Sequence, residues 1–280
     1  MKSKLPPGLY IVATPIGNLS DLSPRAASVL AEADLIAVED SRVTAKLLAH
    51  IGVKRPMTAY HDHVAEHVRP QLIAQMADRA IALVSDAGTP LISDPGYKLV
   101  RDARAAGIDV TTIPGPSAAV AALTLAGLPT DRFLFLGFLP PKAGARKAAI
   151  LEVAQVRATL ILYESGPRLG ATLSALCDML GDREAAVVRE ITKRFEETVT
   201  GSLEGLAERY RESPPKGEIV IVVAPPGAPE AAGEEQIDEA LRQAMARLSP
   251  SRAAAEIAES LGLKRKMVYE RALQLRDELE

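Results

Sequence analysis

The sequence predicts an α/β protein with two sheet-bearing domains and a small all-α C-terminal extension. The chain has 280 residues, 48% hydrophobic and 25% charged, which is enough for two ordinary globular domains. Short apolar runs alternate with helical patterns through the first half, and this alternation predicts βαβ units with a largely parallel sheet. A proline- and glycine-rich stretch at 224–233 then precedes a charged segment with helical spacing.

The predicted strands of the first half are apolar on both faces. They span 9–13, 34–38, 80–84 and 109–113, and none of them alternates polar with apolar residues. Strands of this kind are typical of a sheet that is buried on both sides. Ser23 and Pro24 form a typical N-cap and first position of a helix that we expect to reach about Ala33.

The turn at 128–132 is a predicted domain boundary. Beyond it, β-rich runs span 133–139, 158–163, 185–189, 197–201 and 218–224, with helical segments between them. We therefore expect an N-terminal α/β domain at 1–129, a second α/β domain at 130–226 and a helical extension at 234–280.

Composition argues against several classes of protein. No stretch approaches the roughly 20 apolar residues of a membrane span, so no membrane partner is expected. Cys177 is the single cysteine, which excludes a disulfide framework within the chain and favours a reducing cytoplasm. The net charge of −3 argues against nucleic-acid binding by bulk charge alone, and the absence of Trp argues against a base-stacking platform.

Glycine, proline and small polar residues follow all four predicted strands of the first half. These segments span 14–18, 39–42, 85–96 and 114–119, and they meet where an open α/β sheet binds its ligands. Neither a G-x-G-x-x-G nor a Walker motif is present. Main-chain donors beside small side chains suit a neutral or cationic ligand with an adenine, a ribose and an amino acid. Ser117 either caps the next helix or leaves its N–H groups for a ligand carboxylate.

The segment 60–67 holds three of the four histidines. No regular structure presents all three well, and no cysteine lies in this segment to complete a zinc site, so we predict no metal site. Substrate contact, proton transfer and a hydrogen-bonded structural role remain the alternatives for His61 and His63.

The tail has the pattern of a helix-turn-helix. Ser249 and Pro250 begin a helix, Gly262 interrupts it, and a basic stretch opens the next helix. Lys264, Arg265 and Lys266 would then stand at the start of a recognition helix that binds nucleic acid. A plain helical hairpin or a dimerisation appendage is the alternative.

Together these loops resemble a known family. The matching strings are 9–19, 38–42, 61–63, 83–96 and 114–118, followed by 137–140, 163–165, 189–190 and 216–218. They resemble the bacterial 16S ribosomal RNA cytidine 2'-O-methyltransferases, a branch of the tetrapyrrole (corrin/porphyrin) methylase superfamily. The similarity runs from about Gly8 to Val223, and the tail looks like the helix-turn-helix appended to many members.

The resemblance implies two α/β domains of tetrapyrrole-methylase type with S-adenosylmethionine (SAM) held in the cleft between them. It also implies a homodimer that acts on 16S rRNA within the 30S subunit. By motif matching, the SAM-binding residues are Pro15, Asp86, Gly88, Thr89, Ile92, Pro116, Ser117, Ala118 and Leu139. The stretch 85–90 departs from the Gly-Asp-Pro pattern of the tetrapyrrole enzymes, which leaves individual side-chain contacts open.

A ribose hydroxyl is a poor nucleophile until it loses its proton, so a nearby base is expected. We favour Asp40 with the pair His61 and Asp62. Further candidates for this base are Glu39, Glu164 and Lys216. Predicted RNA contacts are Arg42, Arg146, Lys147, Lys193 and Arg194, together with the tail residues Lys264, Arg265 and Lys266.

Three other functions compete with rRNA methylation. A tetrapyrrole C-methyltransferase would use the same fold without needing a basic tail. A DNA-binding regulator would use the tail as its reader and the α/β part as its sensor. A histidine-metal hydrolase would bind a metal ion at the 60–67 segment.

Overall fold

The computed structural model describes residues 5–61, 64–227, 234–261 and 263–277. The predicted catalytic residue Asp62, its neighbour His63 and the turn residue Gly262 therefore lie outside the described residues. The first half forms a parallel five-stranded sheet in the order β3-β2-β4-β1-β5. Its strands are β1 (Gly8–Val12), β2 (Leu35–Val38), β3 (Met57–Ala59), β4 (Ala80–Val84) and β5 (Val110–Ile113). Its helices are α1 (Pro24–Glu32), α2 (Ser41–His50), α3 (Ala65–Gln75), α4 (Tyr97–Ala105) and α5 (Ala118–Leu125).

Burial on both faces explains the apolar runs of this sheet. In β4, Ala82 and Val84 contribute to one hydrophobic cluster, whereas Ile81 and Leu83 contribute to the cluster on the opposite face. The predicted parallel sheet is confirmed, and the sequence missed β3. That strand has only three residues, none of them fully buried, and it forms the edge beside β2.

The second half forms a mixed five-stranded sheet in the order β6-β7-β10-β8-β9. The pair β6 and β7 is parallel, and the other neighbours are antiparallel. The strands are β6 (Phe133–Phe138), β7 (Thr159–Ser165), β8 (Glu184–Arg189), β9 (Glu197–Ser202) and β10 (Glu218–Val223). The helices are α6 (Ala143–Val153), α7 (Gly166–Leu180) and α8 (Leu203–Arg211).

Helix α5 belongs to the first half by its place in the chain but packs on the second sheet. Ala119 and Ala122 share a buried cluster with Ile161 of β7 and Val220 of β10. The opposite face of the same sheet packs against α7 and α8. Because α5 ties the two halves through this cluster, residues 1–225 form a single compact unit.

The tail forms a separate compact unit, from Pro226 onward. It contains the helices α9 (Glu234–Met245), α10 (Pro250–Leu261) and α11 (Arg265–Asp277). Leu241, Ala254 and Val268 lie in its apolar core, and Arg271 forms an ion pair of 2.5 Å with the buried Asp238. Within the described parts of the chain, no helix is long and apolar enough to cross a membrane.

We predict that Gly166→Ala destabilises the first unit. Gly166 begins α7, and a Cβ atom there would overlap the carbonyl oxygen of Pro215 and lie 2.9 Å from its carbon. The expected loss is about 1–3 kcal/mol in the free energy of unfolding, measured by urea denaturation.

The matched control is Gly144→Ala, in the first turn of α6. No atom lies within 4 Å of its added Cβ, so this change should raise stability by about 0.5–1 kcal/mol. Equal effects of the two substitutions would contradict the close packing at Gly166.

Candidate active site

A cavity of about 370 Å³ lies between the two sheets of the first unit. From the first half it is lined by Ile16, Ala87, Gly88, Thr89, Ile92, Ser93, Asp94, Ser117 and Ala118. From the second half it is lined by Phe138, Tyr163, Glu164, Ser165, Ile191, Gly217, Glu218, Ile219 and Val220. The volume falls within the usual range for small-molecule sites, and the cavity lies where the resemblance expects the cofactor cleft.

Hydrogen bonds join the loops that follow β1, β4 and β5. Thr14 and Gly88 exchange two main-chain hydrogen bonds, of 2.9 and 3.1 Å. The Thr89 hydroxyl donates to the Pro116 carbonyl at 3.0 Å. Gly88 has a φ of +80°, which glycine adopts without strain, and its backbone therefore closes this loop junction.

The N-terminus of α5 lies at the cavity and is not capped by its own N-cap residue. Ser117 occupies the N-cap position but its side chain accepts no capping hydrogen bond. The first N–H groups of a helix have no partner within the helix, and they favour an anionic ligand. The Ala119 N–H interacts with the Tyr163 hydroxyl oxygen, and binding of a carboxylate by the remaining N–H groups stays a prediction.

Aromatic rings form the wall of the cavity on the side of the second sheet. Tyr163 meets Phe138 edge to face, with ring centroids 5.5 Å apart, and Phe135 at 4.8 Å. Burial raises the pKa of Tyr163, so its hydroxyl stays protonated at neutral pH. The ring of Phe138 is largely exposed and offers an apolar surface beside the cavity.

Glu164 lines the cavity but its carboxylate is fully engaged. Its side chain is 1% exposed. One oxygen accepts the Ser165 N–H at 2.8 Å, and the other accepts the Thr172 hydroxyl at 2.7 Å. Arg168 lies 3.2 Å from the first oxygen and also donates to the Leu139 carbonyl at 2.7 Å. This arrangement suits a residue that holds the strand ends in place rather than the proton acceptor considered for it.

Asp40 lies at the end of β2, where it caps α2. Its carboxylate accepts the Arg42 N–H at 2.8 Å and pairs with the Arg42 guanidinium at 2.5 Å. The side-chain hydrogen bond from Arg42 lowers the pKa of Asp40 to about 2. A carboxylate held in this way is a weak base at neutral pH, so the geometry disfavours the catalytic role predicted for it.

Three further predicted bases, Glu39, His61 and Lys216, do not belong to the cavity lining. Glu39 and Asp86 form a small network, in which Glu39 accepts the Asp86 N–H at 3.3 Å and Asp86 accepts the Asp40 N–H at 3.0 Å. Within the described ranges, no group of three or more possible metal ligands is found.

The predicted cofactor residues divide into two groups. Gly88, Thr89, Ile92, Ser117 and Ala118 line the cavity. Pro15, Asp86, Pro116 and Leu139 are next to lining residues in the chain, and Asp86 accepts the Asp40 N–H as described above. Pro116 offers its carbonyl to Thr89, and Leu139 is buried in the core of the second half.

Several basic residues predicted to bind RNA are engaged within the protein. Arg146 is only 8% exposed, because it shares the buried face of α6 with Ile150, and this position corrects its expected phosphate contact. Lys147 pairs with Asp178 at 2.9 Å. Lys193 pairs with both Glu190 and Glu218 at 2.9 Å.

The remaining basic candidates are exposed. Arg42 has 87% of its side chain exposed although it pairs with Asp40. Arg194 is exposed and lies over the Phe195 ring at 5.6 Å. Lys264, Arg265 and Lys266 are exposed around the start of α11.

Sequence reasoning missed Asp94 as a candidate. It follows the non-glycine residues Leu91 and Ser93, which have positive φ values of 75° and 62°, and it lines the cavity. Burial raises the pKa of Asp94 to about 6. Asp94 does belong to the matching string 83–96, but the sequence of a long turn-rich loop does not show which of its side chains reach a cavity.

Comparisons with known proteins agree with this architecture. A family model described as Tetrapyrrole (Corrin/Porphyrin) Methylases matches residues 8–207. A second model, described as RsmI C-terminal HTH domain, matches residues 231–276. Since the first match covers more than half of the sequence, the chain belongs to the tetrapyrrole methylase family. The predicted fold class and the resemblance are thereby confirmed.

Two curated relatives share the name Ribosomal RNA small subunit methyltransferase I. The protein of Erythrobacter litoralis is 53% identical over 273 residues, which cover 97% of this chain and 96% of the relative. That of Mesorhizobium japonicum is 49% identical over 276 residues, covering 98% and 94%. Among solved structures, uroporphyrin-III C-methyl transferase from Thermus thermophilus complexed with S-adenyl homocysteine has a TM-score of 0.54 at 22% identity, covering 77% of this chain and 96% of its own. This structural likeness concerns the fold alone.

We predict that Glu164→Ala destabilises the first unit by about 3 kcal/mol, because it leaves Thr172 and Arg168 without their buried carboxylate partner. The loss would be measured by urea denaturation. Glu208→Ala, at an exposed position of α8, is the control and should change stability by less than about 0.5 kcal/mol. Equal stability of the two variants would show that the Glu164 network contributes little.

Proposed function

We propose that this protein transfers the methyl group of SAM to the ribose 2'-hydroxyl of a cytidine in 16S rRNA. The family and the relatives named as small-subunit rRNA methyltransferases support the reaction class and the substrate. The 30S subunit as the substrate particle, the homodimer and the cytoplasm as its location are parts of the same proposal that rest on the resemblance.

The charge of the cavity lining is the observation that carries the cofactor assignment. Among the described lining residues, Asp94, Glu164 and Glu218 bear carboxylates, and none is Lys, Arg or His. Glu164 and Glu218 are paired with Arg168 and Lys193, so the feature that suits a positively charged ligand is that no cationic side chain belongs to the described lining itself. The first turn of α5, in which Ser117 makes no capping hydrogen bond, offers N–H groups besides that of Ala119 for the one carboxylate of the amino-acid part. SAM combines these features, because it carries a sulfonium, an ammonium and a carboxylate.

The apolar residues of the cavity suit the remaining parts of SAM. Ile16, Ile92 and Val220 provide side chains for the adenine, and the main chain around Gly88 can approach a ribose closely. When bound, SAM supplies an activated methyl group on its sulfonium. The protein's contribution is to hold the two reactants in line, to exclude water and to accept the proton of the hydroxyl.

The alternatives have less support. A tetrapyrrole substrate carries several carboxylates, for which the described cavity lining offers no Lys, Arg or His side chain, and the two relatives described above are named for ribosomal RNA. A DNA-binding regulator does not account for the relatives' name as ribosomal RNA methyltransferases. A histidine-metal hydrolase lacks support among the described residues, which contain no cluster of metal ligands.

The decisive test is methyl transfer by the purified full chain. With labelled SAM and 30S subunits that lack the modification, we expect one methyl group at a cytidine 2'-oxygen, located by mass spectrometry of the rRNA. Ala118→Phe places a ring in the cavity and should weaken SAM binding at least about 10-fold by calorimetry. Ala105→Phe, on an exposed position of α4, is the control. Label transferred to a precorrin but not to rRNA would overturn the proposal.

The exposed cluster Lys264, Arg265 and Lys266 should contribute to RNA affinity through phosphate contacts. Replacing all three by Ala should make the negative slope of log K against log salt shallower by about 2–3. Each phosphate contact that is lost means that about one counterion fewer is released on binding. SAM affinity should stay unchanged. If the slope equals that of the unmodified protein, these three residues do not contact RNA phosphates.

A further inference from the structure

Three carboxylates, those of Asp94, Glu164 and Glu218, belong to the described cavity lining. We propose that Asp94 is the catalytic residue that accepts the proton of the 2'-hydroxyl. This inference rests on the proposed function and names a residue for its chemical step. It replaces Asp40, whose carboxylate caps a helix and pairs with Arg42.

The backbone of the loop between β4 and α4 directs Asp94 into the cavity. Leu91 and Ser93 hold left-handed conformations that cost energy for residues with a side chain, so the surrounding packing must impose them. A Cβ at Gly137 of β6 would lie 2.9 Å from the Ser93 hydroxyl, which shows how closely this loop approaches the second sheet. Asp94 therefore sits on a fixed turn at the contact of the two halves.

The other carboxylates of the cavity are engaged elsewhere. Glu164 accepts from Ser165 and Thr172 and pairs with Arg168. Glu218 is 77% exposed and pairs with Lys193 at 2.9 Å. Among the carboxylates on the cavity lining, Asp94 thus combines partial burial with no ion pair to Lys or Arg in the described part of the chain.

The surroundings of Asp94 set its protonation state. Burial, and then the like charges of Glu39 and Asp86, raise the pKa of Asp94 to about 6, while a hydrogen bond from Ser85 opposes this rise. Tyr163 faces Asp94 from β7, and Glu164 and Glu218 share the cavity. Asp94 is therefore ionised at pH 7, with a proton affinity higher than that of an ordinary aspartate. A base is most effective when its pKa lies near the working pH.

In the proposed step Asp94 accepts the proton of the 2'-hydroxyl while the oxygen accepts the methyl group. The 2'-oxygen bonds to the methyl carbon as its proton passes to a carboxylate oxygen of Asp94. The carbon–sulfur bond breaks and its electron pair remains on sulfur, which becomes a neutral thioether. Asp94 later releases the proton to water, and no oxidant or metal ion is required.

The test compares the full chain with Asp94→Asn, which keeps the size of the side chain but removes the base. We expect the maximal rate on 30S subunits to fall about 10²–10⁴-fold, whereas the calorimetric SAM affinity should fall by about 10-fold at most, because Asp94 is one of several groups on the cavity lining. For the unmodified protein, kcat/KM for SAM should rise through pH 6 to a plateau because it reports groups of the SAM-free protein, and Asp94→Asn should lack that inflection. Asp78→Asn, in an exposed turn before β4, is the control.

A second measurement does not depend on activity. In protein labelled with ¹³C at the aspartate carboxyls, one NMR signal should titrate near pH 6 and be absent from Asp94→Asn. A weaker SAM affinity with an unchanged maximal rate would make Asp94 a ligand contact and overturn its assignment as the base. A flat kcat/KM for SAM between pH 5 and 8 in the unmodified protein would overturn it also. Failure of the unmodified protein to methylate rRNA would instead refute the proposed function and the inference with it.

Discussion

The packing of α5 on the second sheet is the constraint on which the cavity depends. Ala119, Ala122 and Ala126 belong to one buried cluster with residues of β7, β8 and β10. Small side chains let the helix approach the sheet closely, and a close-packed contact of this kind fixes the spacing of the two halves. Because Ser117 and Ala118 begin the same helix, the contact also fixes the position of its first turn at the cavity.

Charge is distributed unevenly around this frame. The cavity collects carboxylates, whereas basic residues of the second half form ion pairs, such as Lys147 with Asp178 and Lys193 with Glu190. Lys193 also packs against the first half, since a Cβ at Gly17 would lie 2.5 Å from its side chain. The net charge of −3 therefore does not reveal that carboxylates, but no Lys, Arg or His, belong to the described cavity lining, or that an exposed basic cluster lies in the tail.

The sequence predicts the fold better than it predicts the site. Apolar runs locate the strands because burial on both faces leaves a clear pattern, but β3 is too short and too exposed at the sheet edge to leave one. The antiparallel pairing of β8 with β10 does not follow from such runs, since they carry no information on direction. Arg146 stands four residues before the apolar Ile150, and this spacing places the two residues on the same face of α6, which is the buried face. The roles of Asp40 and Asp94 depend on neighbours distant in the chain, which a local pattern does not contain.

The dual position of α5 also affects how the protein is made. When α5 leaves the ribosome, all five strands of the parallel sheet have been synthesised. The second sheet, which covers the alanine face of α5, has not yet been made. The central strand of that sheet, β10, is the last strand of the unit in the chain. Until β10 has been synthesised, the apolar face of α5 stays open to other chains, and such faces promote aggregation during folding. Synthesis of β10 therefore completes both the core that joins the two halves and one wall of the cavity.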